Sequence, residues 1–425
     1  IGYGVIATPS LVNPIAKTSF GSDKFVKDIA DKKVAVINYD KNQYNLKNTE
    51  AKKDEIKDLK TYIEEANEND RIDFTGMNLK SYASPEGTVD RNTAVSGGRS
   101  KTAENFVAKE FRKIEDFKAD GFVKPEITVE DWEGFKQAVE ESSLPEKDMV
   151  LRVVQMHSDP DVREQEIRNM TKTFETLEQE IHPKLRRSEL IVNVMLIGNT
   201  DEEIKELYAN DFDKLTQEEI LYLGTLCENN EKKLEVYTKY TDKYTDDWRG
   251  FNNLGVVQYE LNNIPAAKTA LEKAKSIDAN ATVFNNLGNV ALIEGDVDQA
   301  KEYYQSATGV NEASYGQGII SVQKGQYKEA GDYFGADCSF NNALALLLAK
   351  DYDGAIEKAS CGEDKDAPMN YYLKAIANAR KDNRDETLNN LRTAVAKDQA
   401  LKGRAKTDME FHKYFEDATF KEIVN

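Results

Sequence analysis

The chain has 425 residues, 40% hydrophobic and 31% charged, with a formal net charge of −19. That length allows two or three domains with real cores, and no run approaches the roughly 20 apolar residues of a membrane helix. The acidic balance argues against a nucleic-acid binder and against docking on anionic lipid.

Residues 1–22, within a leading stretch 1–30, carry an apolar extended run, two prolines and a small-polar tail. They are expected to form a leading strand and linker, the remnant of an upstream domain. The start at Ile1, with no charged-then-apolar leader, reads as a processed or trimmed product. Lys33–Asn38 is a short β-branched strand. In residues 49–67, Ile56, Leu59, Ile63 and Ala66 recur at helical spacing between charges, so an amphipathic helix follows. An extended apolar run over 72–83 then leads into a second helical pattern from Thr93 to Phe111, with Asn92 as its expected cap.

Between them, Ser84, Pro85 and Gly87 are turn formers, which makes the segment strand, exposed loop, helix. Arg99, a turn and a half into the helix, is expected to face the loop and offer its guanidinium to a carboxylate. Its competing role is a salt bridge to Glu86 or Asp90. Ile127–Val129 is a third strand, about 130–182 is a helical insertion, and Ser188–Ile197 is a closing strand. The order β-α-β-α-β suggests helices packed on one face of a small sheet.

Gly87, Asn92, Val95-Ser96 and Arg99-Ser100 fall at the spacings of the loop-and-helix signature of OmpA-like peptidoglycan-binding domains. Leu185-Arg-Arg-Ser-Glu-Leu-Ile-Val-Asn193 resembles that family's closing strand. The resemblance covers about 31–198 and implies that Arg99, Ser84, Glu86 and Asn92 meet a peptidoglycan stem peptide. This chain departs from the pattern at Ser84, where the family carries an acidic residue. Glu86 is the nearby carboxylate, and a domain that has lost cell-wall binding is the alternative. The resemblance also implies the periplasm of a Bacteroidetes-type bacterium and a lipoprotein-like tether to the outer membrane through a missing N-terminus.

From residue 199 the pattern repeats. Asn229-Asn-Glu, Asn262-Asn-Ile and Gly295-Asp-Val recur at steps of 33, as do Phe251-Asn-Asn-Leu-Gly255 and Phe284-Asn-Asn-Leu-Gly288. Later steps shorten to 30 and 25. Two helices and their turns fill such a period, and the segment resembles tetratricopeptide repeats over about 200–400. Gly255, Gly288, Ala267 and Ala300 permit close helix contact, Tyr259 and Tyr304 fill gaps, and the aromatic tail 407–420 suits a solenoid cap. Asn252, Asn253, Asn285, Asn286 and Asn289 lie on first helices, where paired carboxamides can hydrogen-bond the backbone of an extended peptide. Their plainer reading is as turn and solvent residues.

Cys227, Cys338 and Cys361 have no CxxC spacing. A Cys338–Cys361 bridge requires an oxidising compartment, and the plainer expectation is buried free thiols. His157, His182 and His412 are scattered, and nucleotide-loop and nucleophile-elbow motifs are absent, so neither a metal, a cofactor nor catalysis is expected. The expected protein is a multidomain α+β chain: an OmpA-like α/β sandwich over 31–198, then an all-α repeat solenoid over 199–425. Its expected role is a non-enzymatic scaffold linking peptidoglycan to an outer-membrane or periplasmic protein assembly. The alternative is a pure protein–protein scaffold in an insertion or secretion complex.

Overall fold

A computed structural model of the chain describes residues 7–425, apart from the side chains of residues 171 and 172. It is mostly helical and divides into two compact units, residues 26–200 and residues 7–25 with 201–425.

The first unit holds a mixed sheet of four strands in the order β1-β4-β2-β3. These are β1 (Asp28–Asn38), β2 (Ile72–Tyr82), β3 (Val123–Thr128) and β4 (Arg187–Ile197). β4 pairs antiparallel with β1 and with β2, whereas β2 and β3 are parallel. A parallel pair needs a crossover, which α2 (Val89–Glu110) supplies. Alternate residues of the strands, Ala35, Ile37, Met77, Leu79, Leu190, Val192 and Val194, turn to one face. There they meet Ile56, Leu59 and Ile63 of α1 (Asp54–Asn67) and Ala103, Phe106 and Val107 of α2. Between Trp132 and Leu185 the chain forms short helices with a core of their own, built on Phe135, Val139, Val150, Val154, Leu177 and Ile181.

The second unit stacks antiparallel helix pairs, among them Trp248–Glu260 with Ile264–Ile277 and Ala281–Glu294 with Val297–Ser306. Asn311–Gln323 with Tyr327–Phe334 and Phe340–Leu348 with Tyr352–Lys358 continue the series. Close packing explains the small residues: a Cβ on Gly288 would sit 2.6 Å from the Tyr304 ring. The solenoid closes on Phe411, Phe420, Ile423 and Val424. Among the described residues, no helix is long and apolar enough to cross a membrane.

Three expectations need correction. The leading strand does not form within residues 7–25, which run as a short 3-10 turn (Thr8–Leu11) and extended chain; residues 1–6 lie outside the described residues. Asn92 is not the helix cap. α2 starts a turn earlier, and the Thr88 side chain accepts from the Arg91 N–H. Cys338 and Cys361 are bonded to each other, while Cys227 is free. The bridge joins the residues just before and just after the pair Phe340–Leu348 and Tyr352–Lys358, bringing their Cα atoms to 5.4 Å. Closing that loop stabilises the folded chain by on the order of 3 kcal/mol in the chain-entropy picture. A Cys338→Ser/Cys361→Ser double variant is therefore expected to melt several degrees lower, and a non-reduced peptide map is expected to show the linked pair.

Candidate functional site: an asparagine ladder along the repeats

The asparagines singled out on the first helices are buried. Asn252, Asn253, Asn285, Asn286 and Asn289 are each no more than 2% exposed. An uncharged buried carboxamide has to satisfy both a donor and an acceptor. All five donate to carbonyls of the chain's own residues 13–21, which lie extended across the first helices, and Asn253 and Asn286 also accept from N–H groups there.

Asn253 accepts from the Gly21 N–H at 2.7 Å and donates to the Gly21 carbonyl at 2.9 Å. One repeat further, Asn286 treats Ser19 the same way, at 2.9 and 2.6 Å. Asn252 donates to the Ser19 carbonyl at 3.0 Å, and both Asn285 and Asn289 donate to that of Lys17, at 3.0 and 2.8 Å. Residues two apart in an extended chain present their amides to the same side, which is why the contacts fall on 17, 19 and 21. The carboxamides also bond one another: Asn252 donates to Asn253 and Asn286 to Asn252. Tyr304 donates to Asn289 and fixes its orientation.

Sequence reasoning missed the last rung. Asn341 accepts from the Asn13 N–H and donates to its carbonyl, both at 2.8 Å. The signal was present, because Phe340-Asn341-Asn342 is a third copy of the Phe-Asn-Asn triplet. Tyr259, expected as a gap filler, also accepts from the Ala16 N–H at 3.2 Å.

Side chains of the segment add selectivity. Lys17 pairs with Asp337 at 2.6 Å and lies over the Tyr315 ring. Thr18 donates to Glu260, and the Ser19 hydroxyl accepts from Asn285. A Cβ on Gly21 would come within 3.1 Å of the Arg249 Cα, a tight approach that favours glycine there. Arg249 is itself held by Glu218 and Asp247. At one end Thr8 donates to Glu410, which Arg380 also grips; at the other, Phe25 stacks on Tyr222. The segment thus runs the length of the solenoid, opposite to the order of the repeats.

The residues expected to meet peptidoglycan are engaged internally. The Arg99 side chain is 1% exposed and donates to the carbonyls of Gln43, Tyr82 and Asp40 at 3.0, 2.7 and 3.3 Å, with Tyr39 beneath it. Burial drives its pKa down to about 10, which leaves it charged at neutral pH. Neither Glu86 nor Asp90 pairs with it among the described contacts. Glu86 is instead gripped by Arg186 through two bonds, at 2.7 and 2.9 Å, and accepts from the Ser84 hydroxyl at 2.6 Å. Its carbonyl accepts from Arg168 of the insertion. Asn92 donates to the Gly87 carbonyl and to Glu130. A ligand carboxylate would reach Arg99 only by displacing the carbonyls of Asp40, Gln43 and Tyr82.

Comparison with known proteins agrees on the repeats. The family model for the tetratricopeptide repeat matches residues 281–314. The BBSome complex member BBS4 of Bos taurus is 28% identical over 138 residues, which are 29% of this chain and 27% of that protein. A tetratricopeptide repeat protein from Parabacteroides merdae superposes with TM-score 0.38 at 15% identity, over 49% of this chain and 91% of that one. The Cut9–Hcn1 hetero-tetramer of the APC/C gives TM-score 0.41 at 11% identity, over 79% and 71%. The tetratricopeptide repeats suggest a protein–protein interaction scaffold.

Proposed function

We propose that this chain is a non-enzymatic scaffold of the bacterial cell envelope. In this reading the repeat unit handles extended polypeptide and the sheet unit is an OmpA-like domain that no longer holds the cell wall. The observation that carries it is the ladder itself: three asparagines each satisfy both the N–H and the carbonyl of one residue of an extended segment. That is recognition of peptide backbone, and it needs no catalytic group.

The strand order, the parallel β2–β3 pair and its α2 crossover support the OmpA-like reading. The Cys338–Cys361 bridge supports an oxidising compartment such as the periplasm, where disulfides persist. Between wall attachment and pure assembly, the second is favoured by the closed guanidinium of Arg99 and by the engagement of Glu86 with Arg186. The partner on this reading is an outer-membrane or periplasmic protein.

Co-sedimentation of the purified chain with peptidoglycan sacculi tests the choice. The expected result is retention no greater than that of an unrelated acidic protein. Saturable retention that soluble muropeptides compete away would restore the peptidoglycan-linking role.

A further inference from the structure

The segment that fills the ladder defines what the ladder reads. We propose that the groove is a receptor for extended peptides of the pattern Ala-Lys-x-Ser-Phe-Gly presented by a partner protein, and that residues 13–21 are a built-in competitor for it. This rests on the reading of the repeats as a peptide-handling scaffold.

The pattern follows from the pockets. Ala16 is 4% exposed, so that position takes a small residue. Lys17 meets a carboxylate and an aromatic face, Asp337 and Tyr315, which together select a cation. The Ser19 hydroxyl receives a bond from Asn285. A Cβ on Gly21 would sit 3.0–3.1 Å from Arg249, closer than ordinary contact, so that position favours glycine and disfavours a branched side chain. Phe20 packs against Tyr237 beneath the Lys233 ammonium, so that position takes an aromatic, whereas Thr18 reaches only an exposed Glu260 and is undemanding.

Exchange follows from what holds the segment. Between residues 13 and 21 most contacts are hydrogen bonds to backbone, which water can replace when the segment leaves. The helix pairs beneath it have apolar packing of their own, as in the cluster of Tyr259, Leu271, Leu287 and Val290, and of residues 13–21 only Ala16 and Phe20 join the neighbouring clusters. The fit is also incomplete, since the buried Asn285 carboxamide oxygen has no protein partner while the segment is in place. A tethered segment acts at an effective concentration of about a millimolar, so a partner peptide must outcompete that.

The test uses the full chain and a fluorescent synthetic peptide with the sequence of residues 11–23, followed by anisotropy. Gly21→Val combined with Lys17→Asp weakens the tethered segment while leaving the repeats untouched. That variant is expected to bind the peptide at least tenfold tighter than the wild type does. Adding Asn253→Ala and Asn286→Ala is expected to abolish binding, and a peptide with Val at the Gly21 position is expected not to bind. Ser19→Pro, which deletes the N–H that Asn286 reads, serves as a second weakened variant and should give the same ranking. Far-UV circular dichroism checks that the helices remain. Equal affinity for wild type and weakened chains, binding that ignores the asparagines, or no binding to either weakened chain would each overturn the proposal. Such a failure leaves the scaffold reading standing, whereas saturable sacculus retention would revise that reading without bearing on the groove.

Discussion

Replacing Asn253 and Asn286 together by alanine is expected to free residues 13–21 from the repeats while the repeats stay folded. The two side chains make four hydrogen bonds to Ser19 and Gly21. At about 1 kcal/mol net for each bond, roughly 4 kcal/mol of local stability is lost, close to a thousandfold in the bound-to-free ratio. Limited proteolysis reads this directly. Trypsin is expected to cut after Lys17 far faster in the double variant, with little change in the helical signal. A collapse of the whole repeat unit would mean instead that the segment is part of its core.

The second large effect lies in the sheet unit. Glu86 and Arg186 form a buried ion pair, with side chains 7% and 10% exposed. Removing one partner of such a pair strands the other, at a cost of about 3–5 kcal/mol. Arg186→Met is therefore expected to lower the melting temperature of this unit by about 10 °C, given its size. The same cluster sets its acid stability. Burial alone would raise the Glu86 carboxyl, but the hydrogen bonds from Arg186 and Ser84 outweigh it and hold the pKa below the usual value. His182 lies buried nearby among Glu86, Arg186, Glu178 and Lys41, and burial drives it down to about 4. Both folded pKa values are depressed, so both contributions are fully present above the unfolded values and are lost as pH falls. His182 acts first. Between pH 6.5 and 5 its share is on the order of 2 kcal/mol, a loss that His182→Phe should remove from a denaturation series.

Much of the architecture was legible because it is periodic. The step of 33 residues, the small residues at helix contacts and the amphipathic spacing of Ile56, Leu59 and Ile63 are local signals. Each maps onto a helix pair or a buried face. The asparagines were visible as a pattern too, since Phe-Asn-Asn recurs. Their occupant was not, because Gly21 and Asn253 stand 232 residues apart and nothing in residues 13–21 resembles a ligand when read alone. Cys338 and Cys361 show the same limit: pairing depends on where two loops of a repeat converge. Arg99 illustrates a subtler one. Its spacing identifies a helix position above a loop, but not that the carbonyls of Asp40, Gln43 and Tyr82 close around it. A motif fixes the height of a side chain along a helix, whereas its accessibility is decided by segments distant in the chain.

Residue-resolved amide hydrogen exchange on the intact wild-type chain tests the central claim most directly. The account expects slow exchange at Asn13, Ala16, Ser19 and Gly21, whose N–H groups are held by Asn341, Tyr259, Asn286 and Asn253, with faster exchange at Thr18 and Phe20 between them. Uniform exchange across residues 13–21 at the rate of an unstructured peptide would contradict it.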